Sequence, residues 1–527
     1  GIPLALELAA ARVKAMRVEQ VAERLGDRFA LLSRGSRTAL QRHQTLRSLI
    51  DWSHELLSEP ERVLLRRLSV FAGGWGLQAA EAVCSDECLA HDQVLDLLLR
   101  LVEKSLVLLD DQSAAPRYRM LETIRQYAHE KLTDSADEQA LNNRHLAHML
   151  RFAEAAEPNF FHPDQLHWYA STDAELDNVR AALEWSLGSG QLDCGLRIAN
   201  ALHRYWVARL YWREATGWLD RLLALPNPAP QGPLRAKALF VAGHIANYYD
   251  PATAQRLTEE SLRLARALEY TPGIVNALWV MGWIHNPRLD GSAAPLYAES
   301  IELATAIDYP FGAVHAYAWY GMYKVAMGDY EAAKPLLRAG IEWAHRMGGD
   351  ASLIGRCKGN LAQAEMLQGH FEQARQYLDE SWALQVKAGN RNGTAESLWL
   401  QGRLALCVGD PARALSSFRT SLGLYRPYAT SLWVTRGLAY LMRVYASTDR
   451  LPLAAQLAGF LAARDGGTGR LKAELGSLAA IAEYEAAIAE IHHGVLHLGL
   501  RAEWDAGQVL TDEAAIAIAL DETSGVN

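Results

Sequence analysis

Five small residues set a period in this chain. Gly243, Gly282, Gly321, Ala362 and Gly402 stand 39, 39, 41 and 40 residues apart. Twelve residues after the last four come Ala294, Ala333, Ala374 and Ala414. The turn sequences Gly-Asp-Tyr at 328, Gly-His-Phe at 369 and Gly-Asp-Pro at 409 fall between marker and alanine. A small residue on one helix, a turn, and a small residue on the next describe a helical hairpin whose helices pack closely. One such hairpin cannot bury its apolar face alone, so successive copies must stack. The period therefore restricts the second half of the chain to an array of helical hairpins with a concave inner surface.

A spacing of 39–41 exceeds the roughly 34 residues of the standard tetratricopeptide repeat and comes near the HEAT range. The Gly-to-Ala spacing of twelve is that of the tetratricopeptide repeat. Residues 234–510 thus resemble a long-period tetratricopeptide-repeat superhelical solenoid. In such repeats the side chains three before and one after the first-helix glycine face the groove. Those positions hold Phe240 and His244, Trp279 and Trp283, Ala318 and Met322, Gly359 and Gln363, then Trp399 and Arg403. Six before the marker stand Lys237, Asn276, His315, Arg356 and Glu396. Aromatic side chains suit stacking on a peptide, a sugar or an aromatic ligand. The expected ligand groove is therefore carried by Phe240, His244, Asn276, Trp279, Trp283, Met322, Arg356, Trp399 and Arg403. Ala318 and Gly359 should leave a hollow midway along it.

The first half is organised differently. Helical patterns over 45–57, 60–71, 77–84 and 91–103 precede a short apolar run, Leu106–Leu109. Turn residues from Asp110 to Pro116 follow, then the extended sequence Arg-Tyr-Arg-Met and a further helix. Several helices and then a β-hairpin is the order of a winged-helix domain, placed at 41–132. Residues 140–225 read as connecting helical repeats, and Pro-Asn-Pro-Ala-Pro-Gln-Gly-Pro at 226–233 as a linker. The fold class is mostly α, with one small β-hairpin.

Charge and motifs exclude several functions. The net charge is −9, and residues 41–132 hold eleven Lys/Arg against fourteen Asp/Glu. DNA-binding winged helices present a basic face, so direct DNA binding is not expected despite small clusters at Arg62, Arg66, Arg67 and at Arg42, His43, Arg47. No apolar run approaches the ~20 residues of a membrane span. The five cysteines are scattered and odd in number, which suits a reducing cytoplasm. Cys84 and Cys88 could face each other on one helix, and His493 and His497 stand at i, i+4, yet neither pair brings a third metal ligand. No nucleophile motif stands out, and enzymatic activity is not expected.

Four segments together carry a family resemblance: Gly-Ile-Pro-Leu-Ala-Leu-Glu-Leu at the start, the stretch from Arg42 to Trp75, Leu101–Val107, and Arg117–Leu132. The end of the repeat region, Leu500–Leu520, fits the same pattern. The chain resembles the C-terminal regulatory part of bacterial STAND-class, NB-ARC-like ATPases, in particular those of LuxR-type and antibiotic-regulator-type transcription factors. The resemblance implies that residues 1–40 are the helical lid of a nucleotide-binding domain lying upstream. It also implies that Gly1 and Pro3 close over the adenine of ATP or ADP bound by the parent protein. No GxxxxGK[ST] cradle occurs in the 527 residues, so no cofactor is expected for this chain alone. Where relatives carry Met-His-Asp, this chain has Met120, Leu121 and Glu122. Leu121 cannot donate a hydrogen bond, so a histidine latch is not expected; Glu122 should pair with Arg119 or Arg125. The implied function is a sensor that binds a protein or small-molecule effector and relays the event through the winged helix. The alternative is a self-standing tetratricopeptide scaffold for protein partners.

Overall fold

The computed structural model describes residues 47, 50–51, 53–110, 116–162, 164–225, 232–428, 432–448, 450–466, 475 and 477–520. Gly1, Pro3, the expected lid at 1–40, Arg42 and His43 lie outside the described residues. The chain divides into two compact units: Gly1–Arg151 with Ala174–Ser189, and Phe152–Asp173 with Gly190–Asn527. The stretch 140–225 is shared between them.

The first unit is built on α1 (Glu59–Leu68), α2 (Leu77–Cys84), α3 (Gln93–Glu103), strands β1 (Leu108–Asp110) and β2 (Arg117–Arg119), and α4 (Glu122–Thr133). It also takes in part of α5 (Glu138–Asn159) and the second half of α6 (Gln165–Gly188). Ser58 and Glu61 form a capping box that starts α1, with the Ser58 N–H donating to the Glu61 carboxylate at 2.7 Å. β1 and β2 pair antiparallel, with Leu109 opposite Tyr118. Trp75 adds a bridge to Tyr118, its N–H donating to the Tyr118 carbonyl at 2.9 Å. Gly74 makes this approach possible: its φ is +97°, and a Cβ there would stand 2.8 Å from the Tyr118 carbonyl. Leu64, Leu68, Phe71, Trp75, Val83, Leu98 and Leu101 are buried together as the core. The Asn178 amide of α6 accepts from Ala72 N–H at 2.9 Å and donates to the Gly74 carbonyl at 2.8 Å, fixing that turn.

The second unit includes α7 (Leu192–Ala201), α8 (His203–Ala208) and α9 (Trp212–Ala224). Six hairpins follow: α10 (Pro233–Ala246) with α11 (Pro251–Ala267), α12 (Thr271–His285) with α13 (Ala293–Ala306), and α14 (Pro310–Ala326) with α15 (Tyr330–Arg346). Then come α16 (Ala351–Leu367) with α17 (Phe371–Lys387), α18 (Arg391–Cys407) with α19 (Pro411–Tyr425), and α20 (Leu432–Ala446) with α21 (Leu451–Asp465). The unit ends on α22 (Leu478–His497), α23 (Arg501–Gln508) and α24 (Asp512–Leu520).

The period has a steric cause. A Cβ on Gly243, Gly282, Gly321 or Gly402 would meet Thr258, Tyr297, Leu337 or Phe418 of the partner helix at 2.4–2.7 Å. Ala333, Ala374 and Ala414 are buried twelve residues on. In the second hairpin the buried alanine is Ala293 rather than Ala294, because a 3-10 turn at Asn286–Arg288 alters the connection. Gly328, Gly369 and Gly409 make their turns in the left-handed region at φ +78° to +84°. A second marker recurs in the later helices. Ser261, Ser300, Ser381 and Ser421 each donate from the hydroxyl to a first-helix carbonyl at 2.8–2.9 Å.

The two helices of a hairpin differ in burial. α12 buries eleven of its fifteen residues, whereas α15 buries only Ala333, Leu337, Gly340 and Ala344 on one stripe. First helices are thus covered nearly all round, and second helices keep a solvated face. α8 and the start of α9 supply part of the cover. The Arg204 guanidinium pairs with the buried Asp350 carboxylate at 3.1 Å, and Trp212 stacks on Tyr248 at 4.5 Å between centroids.

Candidate functional site

The first helices of successive hairpins line a partly open cavity of about 540 Å³ in the second unit. Its wall takes Tyr248 from the α10–α11 turn, Trp283 from α12, Trp319 and Met322 from α14, and Arg356, Gly359 and Gln363 from α16. Glu396 and Trp399 of α18 and Trp433 and Arg436 of α20 complete the opposite side. The size is that of small-molecule pockets, which run to roughly 300–1,000 Å³.

The aromatic rings are ordered against one another. Trp283 and Trp319 stack with centroids 4.2 Å apart and planes 24° from parallel. Tyr248 stands edge-on to Trp283 at 4.9 Å. Across the cavity Trp433 stacks on Tyr425 at 5.6 Å. The Arg356 guanidinium lies 5.0 Å from the Trp319 ring, and that of Arg436 lies 4.8 Å from Trp433.

The charges are placed unequally. Burial works to depress the Arg356 pKa, but Glu396 and the Tyr248 hydroxyl together hold it above the usual arginine value. Burial wins at Arg436, which is lowered to about 10. Both remain cations at neutral pH. Arg356 has no carboxylate within 4.0 Å among the described residues, and its Nε lacks a hydrogen-bond partner there. The Asp250 carboxylate on the same wall caps α11, accepting from Thr253 N–H at 3.2 Å. Glu396 accepts from Asn392 at 3.4 Å.

Of the expected groove residues, the structure brings Trp283, Met322, Arg356 and Trp399 together on this wall. Phe240, His244, Asn276, Trp279 and Arg403 are buried and do not line it. Trp279 is fully covered, stacked on His315 at 4.9 Å and edge-on to His244 at 4.9 Å. Its indole N–H donates to Asn276 at 3.4 Å, which in turn donates to the Tyr309 hydroxyl. His203 and His244 share a hydrogen bond of 2.6 Å, and burial lowers His203 to about 3. Arg403 pairs with Glu483 at 3.0 Å. Gly359 lies on the cavity wall, whereas Ala318 is buried off it.

Sequence reading missed Tyr248, Trp319, Trp433 and Arg436. A signal for Arg436 existed. Forty residues after Gly402 stands Met442, and six before it is Arg436, in the column already holding Arg356 and Glu396.

The remaining candidates resolve otherwise. Cys84 ends α2 and is buried, while Cys88 is exposed in the following turn, so they do not share a helix. His493 and His497 do face each other, with ring centroids 4.3 Å apart. Glu122 pairs with Arg125 at 3.0 Å. Arg62, Arg66 and Arg67 form no basic face. Arg67 is buried and bonds Asp86, Asp137 and the Cys84 carbonyl, and Arg66 and Arg62 reach Glu59. Arg47 pairs with Glu130 at 2.8 Å. α3, the helix that would read DNA in a winged helix, exposes Leu95 and Leu99 beside Asp92 and Asp96. Among the described residues no helix is long and apolar enough to cross a membrane.

Comparison with known proteins agrees with this architecture. The winged helix-turn-helix domain family matches residues 57–133, and the tetratricopeptide repeat family matches residues 353–426. A Mycobacterium tuberculosis protein, named as an unproven HTH-type transcriptional regulator, is 44% identical over 223 residues. The match covers 42% of this chain and 25% of that protein, so the chain spans about a quarter of this relative's length. An uncharacterized protein of the same organism is 42% identical over 150 residues, 28% of this chain and 38% of its own. Among solved structures, a STAND protein with a tetratricopeptide repeat sensor from Pyrococcus horikoshii aligns with TM-score 0.40 and 15% identity over 95% of this chain and 74% of its own. A Rap protein complexed with Competence and Sporulation Factor aligns with TM-score 0.42 and 12% identity over 66% and 99%. The chain thus carries a winged helix-turn-helix domain and tetratricopeptide repeats, and over part of its length is homologous to mycobacterial proteins named as unproven HTH-type transcriptional regulators.

Proposed function

We propose that this chain is the sensing and coupling part of a transcriptional regulator, with the repeat cavity as the point where the signal enters. The observation that carries this reading is the concave aromatic cavity itself. It is walled by first helices from five successive hairpins, so a ligand inside touches all of them at once. Such a ligand favours whichever stacking of the hairpins fits it, and shifts the balance between two states by its differential affinity for them. α6 is the natural carrier of that shift. Its residues 165–173 belong to the repeat unit and its residues 174–188 to the winged-helix unit. In the second unit Asp173 holds the Tyr205 hydroxyl at 2.8 Å, and in the first Glu175 holds Arg117 of the wing at 2.5 Å.

A concave aromatic cavity of this size suits a small effector. The acidic balance of residues 41–132 and the apolar, acidic face of α3 support a winged helix that relays rather than reads DNA. On the resemblance to STAND-class ATPases, nucleotide binding and hydrolysis belong to a domain upstream, and this chain contributes no catalysis. Its five unpaired cysteines fit work in a reducing bacterial cytoplasm.

The test is thermal melting of the chain against a metabolite library, in parallel with Met322→Trp, which fills the cavity. A compound that raises Tm for the parent chain and not for the variant supports the reading. Equal shifts in both, or DNA binding that falls steeply with salt, would overturn it.

A further inference from the structure

We propose that the cavity accepts a planar aromatic carboxylate. This rests on the sensing role above and supplies the chemistry of the signal.

The polar atoms of the wall point to an acceptor. Among the described residues, five buried wall atoms have no hydrogen-bond partner: Asn286 Nδ2, Trp319 Nε1, Arg356 Nε, Trp399 Nε1 and Trp433 Nε1. All five are N–H donors, and no wall acceptor is left in the same state. A buried unpaired donor costs roughly 1–3 kcal/mol, so five of them favour a guest rich in acceptors.

The charge on the wall points to an anion. Asp250 caps α11 and Glu396 supports the Arg356 charge from beyond 4.0 Å, so Arg356 is a half-buried cation without an ion pair among the described residues. Arg436 faces the same space from α20. A guanidinium fork matches a carboxylate in two parallel hydrogen bonds.

Shape decides what kind of anion. Trp283 and Trp319 stack on each other with the Arg356 guanidinium over Trp319, and Trp433 stacks on Tyr425 with the Arg436 guanidinium over it, so the wall offers guanidinium planes and indole edges. A flat ring stacks on a guanidinium plane and meets indoles edge-on. A sugar would stack too, but brings no counter-charge to Arg356.

The experiment uses the whole chain and matched probes: indole-3-acetate and 2-naphthoate, each beside its primary amide. Binding is read by quenching of tryptophan fluorescence and by Tm. The acids are expected to bind at least about tenfold more tightly than the amides. Arg356→Gln should remove that preference and Arg356→Lys should restore part of it. Trp319→Phe deletes one indole N–H and keeps a ring, and should weaken the acids severalfold. This variant keeps the test available if Arg356→Gln does not fold. Amides that bind as well as acids, or an Arg356→Gln chain that keeps the preference, would overturn the proposal. A neutral oligosaccharide or a peptide that raises Tm where the acids do not would overturn the ligand class and leave the sensing role intact. If no class of compound distinguishes the parent chain from Met322→Trp, both fail.

Discussion

Two arginines, Arg67 buried in the winged-helix unit and Arg356 half-buried in the repeat unit, show how differently the units use charge. Arg67 in the winged-helix unit engages all three guanidinium nitrogens, with Asp86 at 2.6 Å, Asp137 at 3.2 Å and the Cys84 carbonyl at 2.7 Å. Arg356 in the repeat unit lies over an indole with its Nε unpartnered among the described residues. The first is a structural cross-link that ties α1 to the turn after α2 and to the chain before α5. The second leaves hydrogen-bonding capacity unspent beside a cavity. Where burial comes with full pairing, a charge holds the fold; where it comes without, the charge is poised for something that arrives later.

That contrast can be broken or sharpened by experiment. Arg67→Ala leaves Asp86 and Asp137 only their longer pairs with Arg144 at 3.8 Å and Arg66 at 3.5 Å and should destabilise the winged-helix unit by about 1–3 kcal/mol in urea unfolding. A loss under about 1 kcal/mol would remove Arg67 from its structural role. Acid should act chiefly on the repeat unit. His203, His244 and His315 are held well below the usual imidazole value there by burial; in the first unit burial holds His145 at about 3 and lowers His54, His129 and His148 less far. A depressed folded pKa means that the unfolded chain takes the proton first. Stability is therefore complete above pH ~6.5 and declines as pH falls toward 3. Each such ring contributes a loss of about 2 kcal/mol by pH 5, so calorimetry at pH 5 should show the repeat unit melting earlier relative to the winged helix. Gly402→Ala forces a methyl to within 2.7 Å of the Phe418 ring and should cost about 1–3 kcal/mol, read as a lower Tm. Ser300→Ala leaves the Val275 carbonyl without its hydroxyl donor and should cost about 1 kcal/mol. Arg356→Gln completes the comparison with an expected change near zero, or a small gain, in Tm of the ligand-free chain. A large loss there would make Arg356 a structural residue like Arg67.

Much of the fold was legible because it is enforced sterically. Gly243, Gly282, Gly321 and Gly402 sit where a methyl would strike the facing helix, so the spacing of close contacts is written directly as a spacing of glycines. Ala294 was misplaced by one residue because a 3-10 turn at Asn286–Arg288 leaves no mark at a distance of six residues. The β-hairpin was legible from apolar and turn residues alone.

The site was half legible. Residues one after the marker, Trp283 and Met322, reach the cavity, as do Arg356 and Trp399 at their expected columns. Trp279 and His244 occupy equivalent columns yet are buried, because α8 brings His203 against His244 and Phe240. That cover comes from outside the repeats, and no periodicity within them announces it. Trp319 and Tyr248 lie off the groove columns. Arg436 lies on one, but its repeat has Met442 where the others have a small residue, so the register stops one repeat early.

The most direct measurement is hydrogen exchange along the full chain, with and without a planar aromatic acid that raises its Tm. The account predicts slower exchange at 247–252, 319–326, 356–363 and 393–400, around the cavity, together with altered exchange along 174–188 of α6. Protection confined to the outer faces of α13, α15 and α17, with no change at the cavity helices or α6, would contradict it.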